Sequence, residues 1–133
     1  MKEITVEATR ENIPVVTSLV EETLEEAGAG MKAMVKIAVA MDELLTNVVS
    51  YAYGNETGPM TTRISVQDGV AEITISDRGT PFNPLEHEDP DVTLSAEQRK
   101  IGGLGIFMVK KSIDELSYVY KDGMNYVTIR HRI

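Results

Sequence analysis

The sequence predicts a two-layer α+β sandwich, in which a mixed, mainly antiparallel sheet of about five strands is covered on one face by three helices. Several short segments alternate apolar and polar residues, which indicates half-buried strands, and other segments repeat apolar residues at helical spacing. Two Asp-Gly pairs, Asp68-Gly69 and Asp122-Gly123, each stand between alternating segments. This arrangement is the strongest short-range signal for a β-hairpin.

The N-terminal region predicts one strand and one helix. Glu3 to Thr9 alternates, which places Ile4, Val6 and Ala8 on one face of a strand. Asn12 can cap the helix that follows, Pro14 suits its first turn, and Gly28 and Gly30 end it. The apolar stripe of this helix consists of Val15, Leu19, Val20 and Leu24.

The remaining elements are one long helix, two hairpins and a third helix. Met31 to about Ala52 predicts a helix that is apolar on nearly every face between Ala33 and Met41, and therefore central. The four hairpin strands are predicted at Thr61–Gln67, Val70–Ser76, Leu116–Lys121 and Met124–Arg132. A helix from about Leu104 to Asp114 precedes the second hairpin. It offers Leu104, Phe107, Met108 and Ile113 for packing.

Length and composition restrict the class of protein. The chain has 133 residues, which favours a single domain over residues 1–133, and it contains no cysteine for disulfides or thiolate zinc sites. Its formal net charge of −8 disfavours nucleic-acid binding. No targeting segment or membrane span is expected, so a cytoplasmic protein is predicted. The two histidines, His87 and His131, are expected at the surface.

A long segment of low periodicity interrupts this pattern. Thr80 to Ile101 contains three prolines and several acidic residues. Long connections inside compact domains are uncommon and are usually functional or disordered. We therefore interpret this segment as a mobile lid.

Two polar side chains lie on one face of the predicted central helix. Glu43 and Asn47 are four residues apart in a sequence rich in Leu and Val. A carboxylate and an amide at the core end of such a helix need partners or open space. A solvated polar stripe, together with Asp42 and Ser50, is the alternative interpretation.

Asp77 continues the apolar register of its strand, so its carboxylate is predicted to face the core. Burial of an unpaired carboxylate costs several kcal/mol, so something must donate hydrogen bonds to it. Either a ligand does so, or Asp77 starts the turn at Arg78-Gly79 by accepting from its own backbone. The sequence alone leaves both alternatives open.

Gly102, Gly103 and Gly105 surround Leu104 at the start of the third helix. Glycines at this place let backbone N–H groups approach an anion at the positive end of a helix. The following residues lack the Lys-Ser or Lys-Thr of a P-loop. A hinge for the predicted lid is the alternative.

Taken in order, the three motifs resemble the nucleotide-binding fold of gyrase, Hsp90, histidine kinases and MutL, the Bergerat fold. They are Asp42-Glu43-Leu44-Leu45-Thr46-Asn47, Asp77-Arg78-Gly79-Thr80-Pro81-Phe82 and Gly102-Gly103-Leu104-Gly105-Ile106-Phe107. Within that superfamily, the chain is most similar over nearly its whole length to the small anti-sigma-factor serine kinases of bacterial partner-switching systems.

The resemblance implies ATP and Mg²⁺ as cofactors. It implies that Asp77 accepts a hydrogen bond from the adenine amine, that Gly79 lets the chain turn close to the base, and that Asn47 holds Mg²⁺. The backbone from Gly102 through Gly103 and Leu104 to Gly105 would bind phosphates. Asn125 occupies the place on the last strand where the family often has a threonine near the base.

The resemblance also implies a catalytic role for Glu43, which would orient or deprotonate a serine hydroxyl of a partner protein. Arg99 and Lys100 are expected phosphate contacts, with ordinary solvated charges as the alternative. The implied partners are an anti-anti-sigma (antagonist) protein and a sigma factor, and a homodimer is expected. The alternative function is a nucleotide-bound regulatory module that sequesters a sigma factor or another regulator with little or no kinase activity. A plain α+β domain without a ligand is a third hypothesis.

Overall fold

The computed structural model describes residues 1–86 and 103–133, within which three helices pack on a five-stranded sheet. In chain order the elements are β1 (Lys2–Glu7), α1 (Ile13–Glu26), α2 (Met31–Tyr51), β2 (Pro59–Gln67), β3 (Val70–Asp77), α3 (Gly103–Ser112), β4 (Glu115–Lys121) and β5 (Met124–Arg132). The strand order is β1-β2-β3-β5-β4, and neighbouring strands in the described part are all antiparallel. The predicted fold class is confirmed, with an antiparallel rather than mixed sheet.

Both predicted hairpins are present. Asp68 and Gly69 have φ of 54° and 75°, and Asp122 and Gly123 have φ of 53° and 78°. Positive φ at both central residues gives a turn whose twist matches the flanking strands. The first hairpin joins β2 to β3 and the second joins β4 to β5. β3 and β5 then pair at the centre of the sheet, which places Asp77 directly opposite Asn125.

The core lies between the helices and one face of the sheet. Ala71, Ile73 and Ile75 of β3 are nearly inaccessible, as are Val16, Val20 and Leu24 of α1 and Ile37, Met41, Leu44 and Leu45 of α2. The other face is polar: Thr74 and Thr128 share a hydrogen bond of 2.9 Å across β3 and β5. The alternation along each strand therefore separates an apolar layer from an uncovered polar face.

Several local predictions about the helices are wrong. The Asn12 side chain does not cap α1; it donates to the Glu7 carbonyl at 2.9 Å. Val15 is 46% exposed and its neighbour Val16 is buried instead, whereas Val20 and Leu24 of the predicted stripe are buried as expected. In α3, Met108 is exposed, and the buried face is formed by Ile106 and Val109 with Ile113 beyond the helix end.

Two further corrections concern α2 and the C-terminal strand. α2 is central, but Val35 and Val39 are 54% and 51% exposed, so its first half is not covered on every face. His131 is buried rather than at the surface, and its Nδ1 accepts the Asp114 N–H at 3.1 Å. His87 and most of the predicted lid lie outside the described residues. Among the described helices, none has the length and apolar character that crossing a membrane requires.

Candidate nucleotide site

Asp77 ends β3 with its side chain on the core side and only 6% of the residue exposed. Its Oδ1 accepts two hydrogen bonds, one from the Gly79 backbone N–H at 2.8 Å and one from Nδ2 of Asn125 at 2.9 Å. Its Oδ2 receives no hydrogen bond from any described residue. The turn predicted from the sequence therefore occupies one carboxylate oxygen, and the other is left for a further donor.

Asn125 connects the strands to the segment that follows β3. Its Nδ2 also donates to the Thr80 carbonyl at 3.0 Å, and its Oδ1 accepts the Phe82 N–H at 3.2 Å and the Tyr118 hydroxyl. Only 3% of Asn125 is exposed. The sequence indicated that Asn125 lies on the same face as Val127, but its partners, which come from β3, the segment after β3 and β4, were not predictable from spacing.

Gly79 lies against the C-terminal end of α2. A Cβ at this position would overlap the carbonyl group of Ala52, and the adjacent Thr80 N–H donates to the same carbonyl at 2.8 Å. The absence of a side chain at Gly79 is therefore required by its contact with α2. This contact was missed at the sequence level, where Gly79 was linked only to the approach of a base.

Tyr53 lies near the same turn and contacts both β2 and the residue after β3, and no sequence pattern predicted this role. Its hydroxyl donates to the Pro59 carbonyl at 2.5 Å and accepts the Arg78 N–H at 2.9 Å. Burial of the phenol, with the nearby Asp77 charge, raises the pKa of Tyr53 above its ordinary value. A neutral tyrosine thus connects the start of β2 to the residue after β3.

A cavity of about 20 Å³ lies between the end of α2 and the Asp77–Asn125 pair. It is lined by Leu44, Asn47, Val48, Ala52, Asp77, Thr80, Phe82, Pro84, Asn125 and Val127. Ligand pockets are usually about 300–1,000 Å³, so this cavity holds about one water molecule as it stands. Phe82 forms the outer wall and stacks on Tyr51 with ring centroids 5.2 Å apart. Entry of a larger ligand therefore requires the segment around Phe82 to move outward.

Asn47 lines the same cavity and is 8% exposed. Its Nδ2 has no hydrogen-bond partner among the described residues, so the amide is available to a ligand. No group of three or more acidic or histidine ligands for a metal exists in the described part of the chain. Mg²⁺ usually keeps several waters and binds one or two protein oxygens together with phosphate oxygens. The amide oxygen of Asn47, which could serve as such a single protein ligand, fits that type of site, whereas the unpartnered Nδ2 can only donate.

Glu43 lies one helical turn before Asn47 and contacts the first turn of α3. A Cβ on Gly105 would overlap the Glu43 carboxylate, so the glycine is required for this approach. Burial and the neighbouring Asp42 charge raise the pKa of Glu43 above its usual range. The carboxylate thus lies beside the helix N-terminus that was predicted to bind phosphates, where backbone dipoles favour negative charge.

The structure brings Asn47, Asp77, Gly79 and Asn125 together and places Glu43 beside Gly105. Gly103 begins α3, one residue earlier than predicted, and Leu104 follows within its first turn. Arg99, Lys100 and Gly102 lie outside the described residues, so their predicted phosphate contacts stay predictions.

Comparison with known proteins agrees with this geometry. Residues 6–131 match the family described as histidine kinase-like ATPase domain. A serine-protein kinase RsbW of Listeria monocytogenes is 30% identical over 110 residues, which covers 79% of this chain and 70% of the relative. A serine/threonine-protein kinase BtrW of Bordetella bronchiseptica is 26% identical over 95 residues, or 70% of this chain and 66% of the relative.

A solved structure supports the fold. The RsbU and RsbW domains of a Mycobacterium tuberculosis protein match with a TM-score of 0.66 at 20% identity, which covers 99% of this chain and 32% of that one. This chain thus spans about a third of the solved protein. The fold and the three motifs define a histidine kinase-like ATPase domain. Within that class, the chain belongs to the anti-sigma-factor serine kinases, the family of serine/threonine kinases that includes the RsbW proteins.

The close approach of Gly79 to Ala52 leads to a first prediction. Gly79→Ala would drive a methyl group into the Ala52 carbonyl, so we expect it to destabilise the fold by about 1–3 kcal/mol, the usual cost of overpacking. Gly30→Ala is the matched control, because nothing lies within 4 Å of its added Cβ. Urea unfolding of both variants measures the difference. Equal stability of the two variants would contradict the contact.

The raised pKa of Glu43 leads to a second prediction. The pKa of Glu43 in the folded state lies above its pKa in the unfolded chain, so the protonated side chain stabilises the fold relative to the ionised one. This stabilisation is complete below the unfolded-state pKa and is lost as pH rises through the folded-state pKa. At neutral pH the ionised side chain therefore destabilises the fold, and Glu43→Gln is expected to unfold at a higher temperature than the wild type. This gain should vanish as pH falls below about 4, near the ordinary glutamate pKa. Thermal unfolding between pH 3.5 and 8 tests it, with the exposed Glu22→Gln as control. A gain independent of pH would contradict the assignment.

Proposed function

We propose that this protein is an ATP-dependent serine kinase that phosphorylates a small antagonist protein in a partner-switching system. One observation carries the proposal: the buried Asp77 carboxylate, with one oxygen left for a donor, lines the same cavity as the unpartnered amide nitrogen of Asn47. The names of the RsbW and BtrW relatives support the reaction class. A binding site for a charged or polar ligand explains why both groups are kept in the core.

The proposed site binds the nucleotide at two ends. The Oδ2 atom of Asp77 accepts a hydrogen bond from the adenine amine after the wall around Phe82 has moved outward. The first turn of α3 supplies backbone N–H groups for phosphate oxygens, with Gly102, Arg99 and Lys100 as further proposed contacts. Asn47, between these ends, is the proposed protein ligand of Mg²⁺. When bound, Mg²⁺ neutralises phosphate charge, which matters in a chain with a net charge of −8.

Glu43 is the proposed base for the serine hydroxyl of the antagonist. The serine oxygen forms a bond to the γ-phosphorus, the bond from that phosphorus to the bridging oxygen of ADP breaks, and the hydroxyl proton passes to the Glu43 carboxylate. A raised pKa brings this carboxylate closer to the operating pH, which suits a general base. Phosphoryl transfer depends mainly on positioning and charge stabilisation, so this small set of groups can be sufficient.

A third prediction separates catalysis from nucleotide binding. Glu43→Gln removes the base and should reduce transfer of labelled phosphate to antagonist serines at least about a hundredfold, in line with general-base contributions, while ATP affinity changes little. Asp77→Asn keeps an acceptor for Gly79 and Asn125 but replaces the charged partner of the adenine amine. It should weaken ATP binding about 10–100-fold, the value of a hydrogen bond to a charged group.

Calorimetry with ATP and a phosphoserine assay make these measurements, with the exposed Glu22→Gln as control. The proposal fails if Mg-ATP neither binds nor raises the unfolding temperature of the wild type, since a ligand at a hundred times its Kd adds about 2.7 kcal/mol. Full transfer activity in Glu43→Gln would remove this residue from the proposed mechanism.

A second candidate function, the binding of a regulatory protein, is favoured by a groove between α1 and α2. The groove measures about 400 Å³ and its apolar lining residues are Val20, Leu24, Met31, Met34, Val35, Ala38 and Met41. It is also lined by Glu21, Glu25 and Asp42, and no lysine or arginine lines it among the described residues. A groove with apolar and acidic lining residues complements a basic amphipathic segment of a partner such as a sigma factor or the antagonist.

A fourth prediction tests this groove. Val35→Asp places a charge in the apolar lining of the groove and should weaken binding of the cognate antagonist or sigma factor about tenfold or more, while ATP affinity is unchanged. Val119→Asp is the matched control, because Val119 is similarly exposed, at 51% against 54%, and lies on β4 outside the groove. Surface plasmon resonance with purified partners measures both. Equal losses in the two variants would exclude the groove as the docking site.

A further inference from the structure

The Oδ1 atom of Asp77 has no remaining capacity for a ligand. An ionised carboxylate oxygen offers about two acceptor positions. Both positions on Oδ1 are taken, by the Gly79 N–H at 2.8 Å and by Nδ2 of Asn125 at 2.9 Å. Asp77 therefore presents a single oxygen, Oδ2, to the cavity.

The orientation of the Asn125 amide follows from its neighbours. Its Oδ1 faces two donors, the Phe82 N–H and the Tyr118 hydroxyl, and its Nδ2 faces the Asp77 carboxylate and the Thr80 carbonyl. A reversed amide would place donor against donor at the Phe82 N–H and acceptor against acceptor at Asp77 and the Thr80 carbonyl, and only the Tyr118 hydroxyl could adapt by accepting. Asn125 is therefore held with its amide nitrogen on Asp77.

The inner part of this network is anchored independently of the cavity wall. Gly79 lies against Ala52, and the Thr80 N–H donates to the Ala52 carbonyl at 2.8 Å. Asp77 and Asn125 are also paired across the centre of the sheet. Neither of the two hydrogen bonds to Oδ1 of Asp77 involves Phe82, so an outward movement of Phe82 is not expected to break them.

We propose that Asn125 determines the base specificity of the site by occupying Oδ1 of Asp77, so that the carboxylate accepts from one amine only. This inference rests on the proposed nucleotide binding. Adenine presents a single exocyclic amine, and the ring nitrogen beside it is an acceptor. One carboxylate oxygen is therefore sufficient to accept from the amine. Guanine presents a ring N–H and an exocyclic amine side by side, a pair that uses both oxygens of a carboxylate. With Oδ1 occupied, one of the two guanine donors loses its partner in the buried site, which disfavours guanine nucleotides.

The test compares ADP and GDP binding to the full chain by calorimetry. The wild type should prefer ADP, and Asn125→Leu, which frees one acceptor position on Oδ1 of Asp77, should lower the ratio of GDP to ADP dissociation constants at least about tenfold. Tyr118→Phe is the matched control: it removes a donor to Asn125 but keeps the Asn125 contact with Asp77, so the ratio should stay at the wild-type value.

The outcomes separate this inference from the proposed function. If the wild type prefers ADP and the ratio is unchanged in Asn125→Leu, nucleotide binding stands and the role of Asn125 is overturned. If the wild type binds neither nucleotide, the proposed function fails and this inference fails with it. If Asn125→Leu does not fold, as judged by circular dichroism, the measurement is repeated with Asn125→Val. That side chain has no group that can donate to Asp77, and the same fall in the ratio is expected; an unchanged ratio again overturns the inference.

Discussion

The constraint on which the site depends is the burial of one carboxylate at the end of β3. An ionised Asp77 in the core costs several kcal/mol unless donors surround it. The donors come from the Gly79 backbone, which needs a turn directly after the strand, and from Asn125, which needs β5 in register beside β3. The same turn brings the chain into contact with Ala52 at the end of α2.

α2 carries most of the proposed chemistry because it is a rigid element in contact with both ends of the site. Asn47 lies in the cavity beside Asp77, while Glu43, one turn earlier, contacts the glycine turn of α3. Residues four apart on one helix keep a fixed separation, which loops do not guarantee. The distance between the proposed purine end and the proposed transfer end is therefore set by the helix itself.

The two candidate functions use different faces of the same helix. Asp42 lines the groove between α1 and α2, whereas its neighbour Glu43 points toward α3. A partner held in the groove would thus lie next to the proposed catalytic carboxylate. Docking and phosphotransfer can be separated by substitution, because Val35 lines the groove and not the cavity, whereas Asp77 lines the cavity and not the groove.

The sequence by itself determined the hairpins, the faces of the strands and the core-facing position of Asp77, because each depends on local turn chemistry or on a period of two. The predicted burial of Val15 and Met108 was wrong, because both helices carry apolar residues on more than one side. Which side is buried then depends on the elements that pack against the helix. Only the tertiary structure decided that Gly79 meets Ala52, that Asn125 holds Asp77 and that Phe82 closes the cavity. Most of these partners are more than twenty residues apart, and their contacts exist only after the sheet and helices have packed.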